Sequence, residues 1–331
     1  VAGQLSVRPI ERRDASALAD LTGAERDAWA DALELPSGGA VHRLGAFVGA
    51  ELRAAVELRP VLAARRRHAA TLSALGGDQV ALTQLVAEAT TLADRWLGLA
   101  RLEALVGADQ PAALEALTAG GFVLEGWRIG WLARTDRTRF VDGAALARLR
   151  PGWTPPPAPP APEADAPRVI SAQITLRRST PADADAVAAI MRDPRVLRGT
   201  LQLPSTSGDH WRGRVGAATS WLVEASTPDG PVVVGHGGLH VYAAPSAHVG
   251  EFGMAIAGAW QGAGIGRRLL AQLIDEARAQ GLARLALEVY VDNPRAVRLY
   301  QGAGFALEGT RRAQAMCDGG YVDTHVMAMG L

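Results

Sequence analysis

The stretch Gln261-Gly262-Ala263-Gly264-Ile265-Gly266 constrains this chain more than any other, because it places three glycines at alternate positions directly before an amphipathic helix. Without Cβ atoms, a backbone can approach a ligand that other residues would hold off. The helix that follows carries Ile265, Leu269, Leu270, Leu273, Ile274 and Ala277 on one face, so it packs on a core and turns its N-terminus to the loop. Unpaired N–H groups and the positive helix end make an anion site suited to a pyrophosphate. Arg267 and Arg268 stand in the first turn, where acidic residues are ordinarily favoured, and this inversion suits a bound polyanion.

Two common phosphate-binding folds do not fit. A dinucleotide fold wants G-x-G-x-x-G after an early strand with an acidic residue some 20 positions on, whereas this loop reads G-x-G-x-G and sits deep in the chain. A phosphate-loop NTPase wants Gly-Lys-Ser/Thr, and this chain contains no lysine. The flanks narrow the choice. Val249 to Ala257 reads as a buried strand before the loop, and Leu285 to Val291 as a second strand after the helix, parallel to the first because a helix crosses between them. Asp292-Asn293-Pro294 opens another helix, with Asp292 or Asn293 as N-cap. That helix carries Leu299-Tyr300 and ends at Gly302 to Gly304, before Phe305 begins a further strand.

Strand, glycine loop, helix, strand, Asn-Pro helix and Leu-Tyr-x-x-x-Gly-Phe, in that order, resemble the GNAT family of acetyltransferases over residues 172–331. The resemblance implies an α+β fold: a mixed, mostly antiparallel sheet flanked by helices, with one splayed pair of parallel strands. It implies acetyl-CoA as co-substrate and no metal. Residues Gln261, Gly262, Ala263, Gly264, Ile265, Gly266 and Arg267 would hold the pyrophosphate. The backbone of Met254, Ala255, Ile256 and Ala257 would pair with the pantetheine arm, and Asn293 and Tyr300 would contact the coenzyme from the other side. Gly199 to Pro204, Asp209-His210-Trp211 and the tail from Glu308 through Tyr321 to Asp323 are similar to the branch that acetylates L-amino acids, which implies acceptor contacts at Leu201, Gln202, Trp211 and Tyr321; among the histidines, His240 or His248 is the candidate to line the same site.

Acetyl transfer to an amine needs a neutral amine, a donor for the developing oxyanion and a proton for the departing thiolate. A backbone N–H near Ile256, freed where the strands separate, suits the oxyanion. The resemblance makes Tyr300 the proton donor. For the base, Glu251 on the strand before the loop and Glu288 on the strand after the helix are both candidates, since a carboxylate in an apolar strand needs a partner or a task. His236, His240, His248 and His325 show no metal-ligand spacing. Cys317 is the lone cysteine, and no His or Asn pattern supports an acyl-enzyme there, so direct attack by the amine is expected.

At 331 residues the chain suits two domains. Pro151 to Pro162 is proline-rich and semi-rigid, which divides the chain into residues 1–150, a linker over 151–171, and residues 172–331. The halves are repeats. Gly98-Leu99-Ala100-Arg101-Leu102 recurs as Gly281-Leu282-Ala283-Arg284-Leu285, and Gly121-Phe122 as Gly304-Phe305, both 183 positions apart (281 less 98, 304 less 121). The same offset puts Asp78, Gln79, Ala81 and Thr83 opposite Gln261, Gly262, Gly264 and Gly266. It puts His68, Leu105 and Leu117 opposite Glu251, Glu288 and Tyr300. The first half is therefore expected to be a degenerate GNAT-like domain without a coenzyme loop, which packs and shapes rather than catalyses.

Formal net charge is zero and the pI is about 7.2, so no global field draws nucleic acid or an anionic membrane. No apolar run approaches the ~18 residues of a membrane span. The alanine- and arginine-rich, lysine-free composition and the lone Cys317 predict a bacterial, cytoplasmic enzyme, monomeric as an internal pseudo-dimer or homodimeric. Its expected partner is a small-molecule amine, plausibly an L-amino acid. An antibiotic, a polyamine, an aminosugar thiol precursor and a protein N-terminus are alternative acceptors, and a non-catalytic acetyl-CoA sensor is the alternative of another class.

Overall fold

The computed structural model describes residues 4–34, 41–133, 139–161, 171–217 and 219–331. The chain forms two compact units, one of Val1–Leu132 with Val141–Pro155 and one of Ala133–Phe140 with Pro156–Leu331.

The first unit runs β1 (Leu5–Pro9), α1 (Ala15–Thr22), α2 (Arg26–Glu34), β2 (His42–Val48), β3 (Glu51–Pro60), β4 (Ala69–Gly77), α3 (Gln79–Arg95), β5 (Arg101–Gly107), α4 (Pro111–Ala119), β6 (Val123–Ala133) and β7 (Phe140–Leu149). Its strands lie in the order β1-β2-β3-β4-β5-β7-β6. β4 and β5 are parallel over only three residue pairs, Ala69↔Arg101 to Thr71↔Glu103. Leu82, Leu85, Val86 and Ala89 of α3 pack on Val56, Leu58, Leu72 and Leu102 of the sheet.

The second unit repeats the plan. β8 (Ile174–Arg178), α5 (Ala184–Arg192), α6 (Pro194–Leu197), α7 (Gly208–Val215), β9 (Ser220–Thr227), β10 (Gly230–Val241) and β11 (Val249–Ile256) lead to α8 (Ile265–Ala279). β12 (Arg284–Tyr290), α9 (Pro294–Gly302), β13 (Ala306–Cys317) and β14 (Gly320–Gly330) complete it, in the strand order β8-β9-β10-β11-β12-β14-β13. All six α8 residues expected on its apolar face are buried. They seal one face of the sheet, where α8 lies so close to β10 that a Cβ on Gly237 would stand 2.9 Å from Leu273. The other face carries α5 and α7, with Val187, Ala188, Met191 and Trp211 over Leu222 and Ala255.

Part of the proline-rich stretch is built into this unit. Tyr321 donates to the Pro156 carbonyl at 2.7 Å, Ala158 donates to the Tyr321 carbonyl at 3.0 Å, and Pro157 bridges Tyr321 in parallel. Ala158 packs against the cluster of Tyr290, Ala315, Cys317 and Val322. A Cβ on Gly320 would stand 2.3 Å from the Pro157 carbonyl, so glycine is what lets this segment lie flat.

The internal repeat does not keep one constant offset. A constant offset matched Glu251 with His68, and Gly262 and Gly264 with Gln79 and Ala81. The parallel ladders pair Val249 with Arg284 and Ala69 with Arg101, so the counterpart of Glu251 is Thr71. The helix N-caps equate Gly264 with Asp78. The register slips because a longer loop, residues 257–264, precedes α8, whereas Asp78 alone separates β4 from α3.

Candidate active site

β11 and β12 pair through only three residues, Val249↔Arg284 to Glu251↔Ala286, and then part. Ala257 donates its N–H to Val234 of β10. Because N–H directions alternate along a strand, those of Ile256 and Met254 point the other way, toward the gap that β12 has left. At the end of the gap the loop turns through Gly262 (φ +89°) and Gly264 (φ +76°), a left-handed backbone that side chains resist. Gly264 is the N-cap of α8, and no side chain caps that helix. Its first N–H groups are left for a ligand.

The result is a cleft of about 680 Å³. Of the residues expected at the coenzyme, Met254, Ala255, Ile256, Gln261, Gly262, Gly264, Gly266, Arg267, Asn293 and Tyr300 line it. Three expected there do not. Ile265 is turned into the core, Ala263 packs beside it, and the N–H of Ala257 is taken by β10. Gln261 also serves the loop itself, its Nε2 donating to the Ile256 carbonyl at 2.9 Å. Arg267 lines the cleft, while Arg268 turns away to the Ile174 carbonyl at 3.0 Å. Asn293, not Asp292, caps α9, accepting from the Ala296 N–H at 3.1 Å. Asp292 instead pairs with Arg198 at 2.6 Å.

Sequence reasoning missed Trp260, Arg295, Ala296, Arg298 and Leu299 on the cleft wall. The available signal was the i, i+3 pair Arg295 and Arg298 beside Leu299-Tyr300, in the first turns of the Asn-Pro helix. With Arg267 they give the cleft a positive lining. Tyr300 is held edge-on by Phe252 (ring centroids 5.8 Å apart) and near Phe305 (6.1 Å). Burial among these rings pushes its hydroxyl up to about 12, so it keeps its proton throughout the physiological range.

On the sheet face opposite α8, Gly238 and Gly253 are cross-strand partners, and a Cβ on Gly253 would meet nothing within 4 Å. Around this bare patch stand His236 opposite Ala255 and His240 opposite Glu251. Glu251 accepts a 2.5 Å hydrogen bond from the Tyr242 hydroxyl. Glu288 lies on the same face of β12 and is ion-paired with Arg311 at 2.8 Å. His236 is 5% exposed, bonded through Nε2 to Ser220 Oγ at 3.0 Å, and burial pushes it down to about 4. Tyr290 donates its hydroxyl to the Thr200 carbonyl at 3.1 Å, fixing the segment that carries the exposed Leu201 and the half-buried Gln202.

Two expected acceptor contacts sit elsewhere. Trp211 is 6% exposed, a core residue of α7 edge-on to His236 (5.5 Å) rather than an open wall. Tyr321 alternates with Val322, whose side chain joins Tyr290, so it projects from the opposite face to Glu251 and Glu288. Among the described residues no group of three or more His, Cys, Asp or Glu is placed to hold a metal ion.

A splayed parallel strand pair closed by an uncapped, glycine-entered helix and lined by arginines defines a transferase site for a phosphorylated co-substrate. The acetyltransferase (GNAT) family model matches residues 189–305. The L-amino acid N-acetyltransferase of Escherichia coli (strain K12) is 32% identical over 158 residues, which are 47% of this chain and 97% of that protein. This chain belongs to the GNAT acetyltransferase family. It is also similar to the ribosomal protein bS18 alanine N-acetyltransferase of Escherichia coli (strain K12), 38% identical over 78 residues, 24% of this chain and 53% of that one. Among solved structures, an acetyltransferase from Salmonella typhimurium with its cofactor acetyl-CoA is 22% identical and covers 48% of this chain and 94% of its own, with a TM-score of 0.43.

Proposed function

We propose that this protein transfers the acetyl group of acetyl-CoA to the primary amine of a small molecule, an L-amino acid, by direct attack in its second unit. The observation that carries this reading is the uncapped N-terminus of α8 at the mouth of the splayed cleft. Gly262 and Gly264 leave room for a pyrophosphate there that Cβ atoms would fill, and Arg267, Arg295 and Arg298 match its charge. Acetyl-CoA, when bound, supplies the thioester.

The chain's own groups divide the remaining work. The N–H groups of Met254 and Ile256 face the gap and stabilise negative charge developing there. Tyr300 holds its proton at Oη for the departing sulfur, since burial keeps the phenol neutral. Glu251 is the base for the amine. Glu288 is the weaker candidate because it is ion-paired with Arg311, while Glu251 faces the bare Gly238–Gly253 patch and accepts from the Tyr242 phenol. The L-amino acid assignment is supported by the relative covered over 97% of its length. In the first unit Leu117, Thr71 and Leu105 stand where Tyr300, Glu251 and Glu288 stand in the second, and we assign that unit no acetyl transfer.

The test is release of free thiol from acetyl-CoA over a panel of L-amino acids, aminoglycosides, polyamines and an Ala-initiated peptide. Turnover with L-amino acids is expected, and tight acetyl-CoA binding with no turnover on any amine would replace this reading with that of a sensor. Tyr300→Phe should lower kcat about 100-fold with acetyl-CoA affinity unchanged. Wild-type turnover in that variant would remove Tyr300 from the proton step.

A further inference from the structure

The single turn of α6 is fastened at each end to one of the two segments that bound the coenzyme gap. At its N-terminal end Asp193 divides its carboxylate: Oδ1 accepts from the Arg195 N–H at 2.9 Å and caps the helix, while Oδ2 accepts from the Gly258 N–H at 2.6 Å. Gly258 lies in the loop that continues β11 toward Gly262 and Gly264. A Cβ there would stand 2.8 Å from Arg195 Cδ and 2.9 Å from Asp193 Oδ2, so the close approach depends on glycine. At the C-terminal end Arg198 donates through Nη2 to Asp292 Oδ2 at 2.6 Å and to the Pro159 carbonyl at 2.8 Å. Asp292 belongs to the turn that carries β12 into Asn293 and α9. Between these two pins Val196 is buried in the cluster that includes Ala255.

The ladder of β11 and β12 ends at Glu251↔Ala286, and α6 joins the walls where they have already parted. Leu197 and Arg198 donate to the Asp193 and Pro194 carbonyls at 2.8 and 3.2 Å, which fixes the length of the turn. From α6 the chain runs directly into Gly199–Leu203. A Cβ on Gly199 would lie 3.6 Å from Asn293 Nδ2, and the Thr200 carbonyl accepts from the Tyr290 hydroxyl at 3.1 Å. A ligand between the walls selects one spacing of them, and a piece of fixed length attached to both follows that selection.

We infer that α6 is a strap across the coenzyme gap, with Asp193 and Arg198 as positioning residues that make the placing of the acceptor segment depend on the coenzyme. The inference rests on the proposed acceptor contacts at Leu201 and Gln202. Neither positioning residue touches the reacting atoms; each acts through the segment that α6 carries.

The test is calorimetry on the full-length protein. The fastest amine of the panel is titrated into the enzyme alone and into the enzyme saturated with CoA, which has no acetyl group to transfer. Wild-type protein should bind the amine about tenfold more tightly with CoA present, and CoA should gain the same factor from the amine. Asp193→Asn leaves one side-chain oxygen, which can serve the α6 cap or Gly258 but not both. Gly258→Ala presses α6 off its wall without altering any side chain of the strap. Arg198→Met releases the other end. In each variant the tenfold ratio should fall toward one, while CoA alone binds as in wild type. The two variants at the Asp193 end keep the test decisive where Arg198→Met folds poorly. A clamp that served the fold alone would weaken amine binding equally with and without CoA. A ratio that stays at its wild-type value in the variants, or that is already one in the wild type, therefore overturns the inference. Unchanged amine affinity in a Leu201→Ala, Gln202→Ala double variant overturns it through its premise. Absence of turnover on every amine overturns the proposed function and takes the strap with it, whereas turnover without coupling overturns the strap alone.

Discussion

Helices α3 and α8 follow the first parallel strand of their units, and they differ most at their first residue. Asp78 caps α3, its carboxylate accepting from the Ala81 N–H at 3.0 Å and pairing with Arg53 at 3.3 Å. Gly264 leaves α8 uncapped, with arginines nearby. One helix end has its anion built into the chain, and the other is prepared to receive one. The framework around the two ends is shared. Arg8 pairs with Asp14 and Arg177 with Asp183, each across six residues and each holding the aspartate below the usual carboxylate range. Arg101 with Glu125 and Arg284 with Glu308 form a second repeated pair, buried in both units. Folding keeps these pairs in both units, while the loop, Tyr300 and the strand carboxylates occur in one. Fold and site are thus separable requirements on the sequence.

The largest effect is expected at the ion pair that both units carry. Arg101→Met and Arg284→Met should each cost about 3–5 kcal/mol, because each removes one partner of a buried ion pair. Hydrogen exchange resolved by unit should show equal losses, and a large asymmetry would deny the pair a common role. Acid should then separate the units. His236 is the only buried histidine among the described residues. Its pKa is pushed from the ordinary 6.5 down to about 4, so the unfolded chain takes up the proton first. The resulting penalty is absent above pH 6.5, grows as pH falls, and is complete below about 4, where it reaches about 3 kcal/mol. Exchange protection in the second unit should fall first on acidification, and His236→Gln should remove most of that dependence.

At the site itself, Gly264→Val forces a branched side chain into a left-handed backbone at the anion-binding turn. Acetyl-CoA affinity should fall about 100-fold by calorimetry, from one site per chain in the wild type. Two sites per chain would end the distinction between the helix ends. The smallest expected effect is at the other end: Asp78→Ala should cost about 1 kcal/mol of stability through the lost cap and leave acetyl-CoA binding untouched.

Much of the site was legible because its signals are local. Glycine spacing, the six-residue apolar stripe of α8 and the Asn-Pro helix start each depend on a few neighbouring residues and on backbone physics that travels with them. Arg295 and Arg298 were less visible, since an exposed helix arginine looks the same whether it faces solvent or a cleft. Tyr242 was invisible for a different reason. Its partner Glu251 is nine residues away across a hairpin, and only strand register makes them diagonal neighbours. Trp211 and Tyr321 were misplaced because a motif fixes neither the direction of a side chain nor its burial.

Local sequence carries the recurrence of Gly-Leu-Ala-Arg-Leu and of Gly-Phe 183 positions apart, the glycine entry to α8, and the place of Tyr300 on its helix. These follow from composition and spacing within a few turns of chain. Tertiary structure alone decided that β11 and β12 part after three residue pairs, that Glu251 is held by a phenol and Glu288 by a guanidinium, and that residues 156–158 run beside β14. Each of these depends on register between segments distant in the chain. Register is set by the packing of whole strands and helices, and no short stretch of sequence encodes it.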